Sequence, residues 1–184
     1  YRRHWRERLG FYGPRGAGWH TVWVHAVSVG ETRAAEPLVE ALMLAYPDSR
    51  IVLTHMTPTG RATGSALFSH YGPRLVQAYL PSDIGFMVRR FVRFFAPRIC
   101  ILMETEVWPN LVAACGREGV PVALVNARLS ERSLRRGQRF GALMTEAARG
   151  IALVAAQTPA DAARVRALGS PRVEVTGSIK FDVV

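Results

Sequence analysis

Two acidic residues that follow an apolar run are the first candidates for chemistry in this sequence. The run 99–102 is followed closely by Glu104 and Glu106, with Pro109 shortly beyond. A run of that kind, ending in polar residues and Pro, predicts a buried parallel strand, a turn and the start of a helix. Parallel sheets bind their ligands beyond the carboxyl ends of the strands. Both carboxylates are therefore better candidates for chemistry than for solubility.

A third carboxylate, Glu31, follows the first apolar run of the chain. Residues 27–31 read Val-Ser-Val-Gly-Glu. Gly30 permits a tight turn from a strand into a helix, which leaves Glu31 at a helix N-terminus and at the top of the predicted sheet. At that position Glu31 is a candidate catalytic residue. A first-turn Glu that only complements the helix dipole is the alternative interpretation.

The loop after the second apolar run is suited to a capped turn or to an anion site. Thr57 or Thr59 can cap the next helix, and the free N–H groups around Gly60, with Arg61 nearby, can hold an anion. Neither a Walker motif nor the G-x-G-x-x-G fingerprint occurs in the sequence. Their absence disfavours a dinucleotide or triphosphate site in this part of the protein.

Asn126 and Arg128 follow the fifth apolar run, in the same topological position as the loops above. Their side chains can hydrogen-bond sugar hydroxyls, a phosphate or the two acids after the fourth run. If Arg128 is held by Glu104 or Glu106, it forms a structural salt bridge instead. The residues alone leave both interpretations open.

The elements that must position these residues follow from the alternation of apolar runs with amphipathic segments. This alternation is typical of βαβ units and predicts an α/β fold with a Rossmann-like, doubly wound parallel sheet. The predicted strands are 22–26, 51–54, 75–80, 99–103, 120–125, 151–155 and 173–175, and the predicted helices are 31–45, 59–69, 83–95, 107–117, 131–148 and 159–168.

Within the predicted helix 83–95, apolar residues recur on one helical face, which predicts a core-packing stripe with a basic outer face. The stripe consists of Ile84, Met87, Val88, Phe91, Val92 and Phe95. We divide the chain into a basic, aromatic N-terminal helix and arm (1–20), a Rossmann-like domain (21–177) and the start of a connection to a second domain (178–184).

Composition limits the classes of function. The chain has 184 residues, of which 49% are hydrophobic and 21% are charged, as expected of one globular domain rather than a disordered tail. No apolar stretch reaches the roughly 18 residues that a membrane span needs, and the first residues do not resemble a secretory signal. Because the sequence begins with Tyr1, we allow for a membrane anchor upstream.

The formal charge of +10 favours an anionic partner such as a membrane surface, a phosphorylated substrate or nucleic acid. Part of this charge reflects an arginine bias, because only Lys180 among the 24 basic residues is lysine. Helical spacing explains the Arg/Phe pattern of 83–95 better than nucleic-acid binding does. No His lies at metal-ligand spacing, and we expect Cys100 and Cys115 to be buried thiols, so the sequence predicts no metal and no cofactor.

Six segments of the chain resemble the 3-deoxy-D-manno-octulosonic acid (Kdo) transferases, in the same order and over nearly the whole length. They are 27–31, 54–60, 80–84, 103–111, 126–133 and 176–182, and the patterns METExWPNL and NARLSxRS are the most specific. The resemblance implies the N-terminal, acceptor-binding lobe of a GT-B glycosyltransferase. Such an enzyme inverts configuration as it moves Kdo from CMP-Kdo to the lipid A precursor, at the cytoplasmic face of the inner membrane of a Gram-negative bacterium.

The resemblance also implies roles for individual residues. Glu31 matches the catalytic base, and Glu104 is the better match for a second functional acid than Glu106. The matching loops contain the candidate substrate-binding residues Ser28, Gly30, Thr57, Thr59, Gly60, Arg61, Glu106, Asn126 and Arg128. Arg61 departs from the family, because many relatives have a small polar residue there.

CMP-Kdo would be bound mainly by a second lobe, so we expect this lobe to be inactive alone. Trp5, Leu9, Phe11 and Tyr12, among several arginines, form an interfacial pattern that predicts contact with an anionic membrane surface, with simple packing as the alternative. Two further functions compete with Kdo transfer. One is another GT-B sugar-nucleotide transferase or epimerase, and the other is a basic membrane-binding module without enzymatic activity.

Overall fold

A computed structural model describes residues 4–13, 20–105 and 107–179 of the chain. Its centre is a parallel sheet of seven strands in the order β3-β2-β1-β4-β5-β6-β7. The strands are β1 His20–His25, β2 Ser49–His55, β3 Leu75–Tyr79, β4 Ile99–Met103, β5 Val122–Ala127, β6 Leu153–Ala156 and β7 Val173–Val175. All seven strands that the sequence predicts are confirmed, with ends that shift by a few residues.

Helices connect successive strands and cover both faces of the sheet. They are α1 Trp5–Arg8, α2 Val29–Ala34, α3 Glu36–Ala45, α4 Pro58–Phe68, α5 Gly85–Phe95, α6 Pro109–Arg117, α7 Glu131–Arg139, α8 Ala142–Arg149 and α9 Pro159–Leu168, with a short 3-10 segment Ser69–Arg74 before β3. None of the helices in the described ranges is long and apolar enough to cross a bilayer.

Three helix predictions need correction. The predicted helix 131–148 is two helices, because Gly141 takes a left-handed backbone conformation (φ 51°) that ends the first one. The predicted helix 31–45 begins earlier, at Val29, and a turn at Ala35 divides it. The helix predicted from Asp83 begins at Gly85, and Asp83 caps a different helix instead. Periodicity finds helical segments, but such breaks depend on single backbone torsions.

Strand residues alternate between two apolar cores, one on each face of the sheet. On one face, Trp23 packs against Phe91 of α5 with ring centroids 4.5 Å apart. On the other face, Val24 packs in a second core with residues of α2, α3 and α4. Cys100 and Cys115 are buried free thiols in the first core, as predicted. The stripe predicted for 83–95 is buried at Val88, Phe91, Val92 and Phe95, whereas Met87 is half-buried and Ile84, before α5, is exposed.

The strand order locates the place where a parallel sheet of this kind binds ligands. The chain begins in the middle of the sheet with β1, adds β2 and β3 on one side, and then returns to place β4 on the other side of β1. At such a switch point the loops after the two central strands diverge and leave a crevice beyond their carboxyl ends. Glu31 lies in the first turn of the helix that follows β1, and Glu104 lies in the loop that follows β4.

Candidate functional site

Glu31 lies in the first turn of α2, where its carboxylate closes a capping box. Ser28 is the N-cap residue, and its Oγ accepts a hydrogen bond from the Glu31 N–H at 3.4 Å. The same hydroxyl donates to Glu31 Oε1 at 3.0 Å, and the Val27 N–H donates to Oε2 at 2.9 Å. These contacts fix the carboxylate at the carboxyl end of β1. A carboxylate accepts about four hydrogen bonds, so they are compatible with proton transfer.

Gly30 does not form the strand-to-helix turn that the sequence predicts for it. It lies inside the first turn of α2, and residues 26–28 make the turn instead. A Cβ atom built on Gly30 would come no closer than 4.0 Å to its nearest neighbour, Ser28 Oγ. The surface beside Glu31 is therefore open at this position, and the role of Gly30 in substrate binding stays a prediction.

The loop between β2 and α4 packs directly on the loop that contains Ser28. Thr57 is the N-cap of α4: its Oγ1 accepts from the Gly60 N–H at 3.0 Å and donates to the Val27 carbonyl at 3.2 Å. A Cβ atom on Gly60 would lie 2.9 Å from Thr57 Oγ1 and 3.1 Å from that carbonyl, so a larger residue would have to push the two loops apart. Thr59 Oγ1 is 3.4 Å from Thr57 Oγ1. The capped-turn interpretation of this loop is correct, and it ties the loop to Glu31.

Arg61 is directed at the N-terminal helix. Its Nη1 donates to Glu7 Oε2 at 2.7 Å, and both side chains are about four-fifths buried (22% and 20% exposed). The Tyr79 N–H donates to the same carboxylate oxygen at 2.9 Å, and the Arg61 guanidinium lies over the Tyr79 ring. Arg61 thus helps to hold α1 against the sheet, and its predicted contact with substrate is untested.

Glu104 lies at the carboxyl end of β4 with a left-handed backbone (φ 57°), which is strained for a residue with a side chain. The β1–β4 register ends with His25 opposite Leu102, and Glu104 follows shortly after that pair, as does Val27, whose N–H binds Glu31. The adjacency of β1 and β4 therefore brings Glu31 and Glu104 to the same crevice. The other predicted acid, Glu106, lies outside the described residues.

Arg128 lies beside Glu104, as the salt-bridge interpretation predicts. Its Nη2 is 3.8 Å from Glu104 Oε2, and its N–H donates to the Glu104 carbonyl at 3.3 Å. The Glu104 side chain is 12% exposed, whereas that of Arg128 is 61% exposed. Most of the guanidinium therefore faces solvent at the crevice, where it can also meet an anionic group.

Asn126 is the penultimate residue of β5, and it does not follow the strand as predicted. It has a left-handed backbone (φ 52°) at a point where the β5–β6 register shifts. Its Oδ1 accepts from the Ile179 N–H at 3.2 Å, and its carbonyl accepts from the Gln157 side chain at 3.0 Å. Its Nδ2 is buried and has no hydrogen-bond partner among the described residues. Asn126 thus joins three segments at one edge of the sheet.

The helix after the Glu104 loop is held at its N-terminus by Asp83, a residue from another loop. Asp83 Oδ1 accepts from the Leu111 N–H at 2.9 Å, and Oδ2 accepts from the Asn110 N–H at 3.1 Å. The Trp108 N-cap supplies no side-chain cap, and Pro109 follows it. Burial raises the pKa of Asp83, although these N–H groups act in the opposite direction. The pairing fixes where α6 begins and therefore where the Glu104 loop ends.

Comparison with known proteins identifies the family to which this arrangement belongs. A family model described as 3-deoxy-D-manno-octulosonic-acid transferase (kdotransferase) matches residues 3–183. The chain belongs to this family. The Kdo transferase of Bordetella pertussis is 52% identical over 165 residues, which cover 88% of this chain and 38% of that protein. The Kdo transferase of Haemophilus influenzae is 40% identical over 191 residues, which cover 100% of this chain and 43% of that protein.

This Kdo transferase family chain thus spans about two fifths of the length of these curated relatives. Its fold is that of one half of two solved UDP-N-acetylglucosamine 2-epimerases, one of them from Neisseria meningitidis and bound to UDP-GlcNAc. Each is 15% identical to this chain and has a TM-score of 0.62. The matches cover 88% of this chain and 49% or 48% of the epimerase. This likeness concerns the fold alone and confirms a Rossmann-like lobe of GT-B type.

Two buried histidines beneath the crevice of this Kdo transferase family chain were missed by the sequence analysis, because neither lies in a motif that indicates chemistry. His55 Nδ1 donates to the Ala26 carbonyl (3.0 Å), and the Gln77 side-chain amide donates to its Nε2 (2.9 Å). Burial lowers the pKa of His55 to about 4. Burial, followed by repulsion from His55, lowers the pKa of His25 to about 3. Both imidazoles are therefore neutral at pH 7.

The role of Glu7 in this family member was also missed, because the N-terminal segment reads as basic and aromatic. The predicted membrane residues of that segment divide into two groups. Trp5, Leu9 and Phe11 are exposed, whereas the Tyr12 hydroxyl donates to the carbonyls of Glu7 and Tyr79. Tyr12 is thus part of the packing. A cavity of about 570 Å³ beside this segment is away from the switch point.

Proposed function

We propose that this chain is the acceptor-binding half of an inverting glycosyltransferase that transfers Kdo from CMP-Kdo to the lipid A precursor. Membership of the Kdo transferase family supports the reaction class. The observation that carries the assignment within the chain is the orientation of the Glu31 carboxylate. It is held by Ser28 and Val27 at the switch point between β1 and β4.

In the proposed reaction, Glu31 takes the proton of the acceptor hydroxyl while that oxygen attacks the anomeric carbon of Kdo. The bond between this carbon and the CMP oxygen breaks on the opposite face, and CMP leaves with the bonding electrons. A single displacement of this kind inverts the configuration and needs one base. The capping box supports this role because it fixes the carboxylate before substrate binds, which lowers the cost of orienting it.

The other polar residues of the crevice would bind the acceptor. Glu104 and Arg128 follow β4 and β5 at the same edge of the sheet as Glu31, and we assign Glu104 to positioning of the acceptor. The open surface at Gly30 and the capped loop at Thr57 form the adjacent side. The donor, CMP-Kdo, would be bound mainly by the part of the enzyme beyond this lobe. The acceptor is a lipid, so we place the enzyme at the cytoplasmic face of the inner membrane, in contact with an anionic surface.

The test separates a role of Glu31 as the catalytic base from a role in capping α2. The chain is joined to the C-terminal part of the Bordetella pertussis relative, and transfer of Kdo from CMP-Kdo is measured for Glu31→Gln and Glu31→Ala. A Gln at this position preserves the capping box but cannot take a proton. We expect Glu31→Gln to lower kcat by about 10²- to 10⁴-fold with an unchanged melting temperature. Glu31→Ala should lower kcat as much and also lower stability by about 1 kcal/mol.

A matched control removes a cap elsewhere. Thr158 is the N-cap of α9, and its Oγ1 accepts from the Asp161 N–H at 3.1 Å. Thr158→Ala should lower stability by about 1 kcal/mol with little effect on transfer. A near-normal kcat in Glu31→Gln would show that Glu31 only caps α2, and the base would then have to be sought elsewhere.

A further inference from the structure

Four arginines lie along one side of α7, the helix that follows the Arg128 loop. Arg132, Arg135, Arg136 and Arg139 have the spacing i, i+3, i+4 and i+7, which places them on one helical face. The opposite side packs on α9: a Cβ atom on Gly137 would lie 3.2 Å from Leu168 Cδ2. The helix is thus fixed by one face and presents the arginines on the other.

These guanidinium groups form no ion pair with the described residues, unlike other arginines on the surface. Arg89 and Arg93 of α5 both donate to Glu118, at 3.0 and 2.9 Å. Arg164 of α9 donates to Glu131 at 2.9 Å. None of the four α7 guanidinium groups forms an ion pair or a hydrogen bond with the part of the chain that the structure describes. Glu131 binds Arg164, and Arg135 attracts it only at longer range, so the mutual repulsion of the four groups is largely uncompensated among the described residues, and packing of the domain does not explain them.

Two large exposed apolar side chains follow these arginines in the chain. Gly141 (φ 51°) ends α7 and turns the chain into α8, which leaves Phe140 59% exposed and Leu143 54% exposed. A shallow depression of about 690 Å³ is lined by the four arginines and Phe140. We call these six residues, Arg132, Arg135, Arg136, Arg139, Phe140 and Leu143, the α7 surface.

We propose that the α7 surface docks on a lipid bilayer that contains anionic phospholipids. Clustered arginines beside exposed aromatic and aliphatic side chains are the combination that binds interfaces, since the cations meet the headgroups and the apolar groups enter the acyl boundary. Nucleic acid fits less well, because Leu143 cannot stack on bases and the surface has only one aromatic ring. The inference rests on the proposed function in one respect, the lipid nature of the acceptor, and names the surface that meets the membrane.

The experiment measures binding of the chain to phosphatidylcholine vesicles with and without phosphatidylglycerol, by co-sedimentation in the absence of donor and acceptor. The variants are Arg132→Gln with Arg136→Gln, and a control with the same charge change, Arg98→Gln with Arg117→Gln. The control residues are exposed and precede β4 and β5, at the amino edge of the sheet. All substitutions are at exposed positions, and thermal melts confirm folding.

We expect binding only to vesicles that contain phosphatidylglycerol, weakened by salt. The α7 double variant should bind about 30-fold more weakly, because each arginine near an anionic surface contributes about fivefold. Phe140→Ser should weaken binding further, and the control should bind as the unsubstituted chain does. Failure of the chain to bind, or an equal loss in the control, would overturn the proposal. Tighter binding to duplex DNA through the same arginines would assign the surface to nucleic acid. Binding is independent of Kdo transfer, so either proposal can fail alone.

Discussion

The buried His55 makes the stability of this domain depend on pH in a defined window. Its imidazole is fully buried, and as a neutral ring it donates through Nδ1 to Ala26 and accepts through Nε2 from Gln77. Burial is the main cause that disfavours the charged imidazolium, and the positive Arg61 nearby acts in the same direction. Folding therefore opposes protonation, and the pKa of His55 falls from 6.5 to about 4.

The magnitude follows from the two pKa values of His55. Between pH 6.5 and about 4 the unfolded chain binds a proton that the folded chain does not, so stability decreases as the pH falls. Each pH unit of this window is equivalent to about 1.4 kcal/mol, which gives about 3 kcal/mol in total. The lowered pKa of His25 acts in the same direction. A loss of this size is a large part of the free energy of unfolding of a typical domain, which is roughly 5 to 15 kcal/mol.

The assay is urea unfolding of the chain and of His55→Asn at pH values from about 7.5 to about 4, followed by circular dichroism. Asn can keep the hydrogen bond to Ala26 but does not titrate. We expect His55→Asn to be less stable than the unsubstituted chain at pH 7.5, and to lose about 3 kcal/mol less on acidification.

A conservative core substitution provides the control for destabilisation alone. Ile51→Val, in the same strand, should cost about 1 kcal/mol at every pH and leave the slope of stability against pH unchanged. If His55→Asn and the unsubstituted chain lose stability in parallel between pH 6.5 and 4, the assignment of a neutral buried His55 is wrong.

Two further predictions concern contacts that only the folded chain makes. Asp83→Ala should lower the free energy of unfolding by about 2 kcal/mol, because it removes the acceptors of two N–H groups at the start of α6, and Asp83→Asn, with one oxygen left, should cost about half as much. If the unsubstituted chain and the two Asp83 variants were equally stable in urea, Asp83 would not stabilise the start of α6. A double-mutant cycle of Glu7→Ala and Arg61→Ala should give a coupling of about 1 kcal/mol, since the pair is close and mostly buried. A coupling near zero, with transfer lost in Arg61→Ala, would restore the predicted role of Arg61 in substrate binding.

The sequence predicted most of the candidate site because the relevant signals are local. Glu31, Thr57 and Asn126 each lie at or beside the end of an apolar run, and the capping potential of Ser28 and Thr57 is a property of a few adjacent residues. The contacts that constrain these residues are not local. Nothing near Arg61 in the sequence indicates that its partner is Glu7, because that pairing depends on how α1 packs against the edge of the sheet.

The sequence likewise shows where the arginines are clustered, but not which of them form ion pairs in the fold. The arginines of α5 and α7 have similar helical spacing, but Arg89 and Arg93 of α5 form ion pairs with Glu118, whereas those of α7 form no ion pair with the described residues. The break at Gly141, which leaves Phe140 exposed beside the α7 arginines, was hidden within an apparently continuous amphipathic segment. Helical periodicity persists across a single unusual torsion, so the pattern could not show it.

By itself, the sequence determined the α/β class, the seven strands and the family, because hydrophobic periodicity and short motifs depend on neighbouring residues. Only the tertiary structure decided that β1 and β4 are adjacent, and therefore that Glu31 and Glu104 share a crevice. The order of strands in a parallel sheet depends on long-range pairing and on the handedness of the connecting segments. Side chains from distant parts of the chain thus form one site only when the sheet assembles.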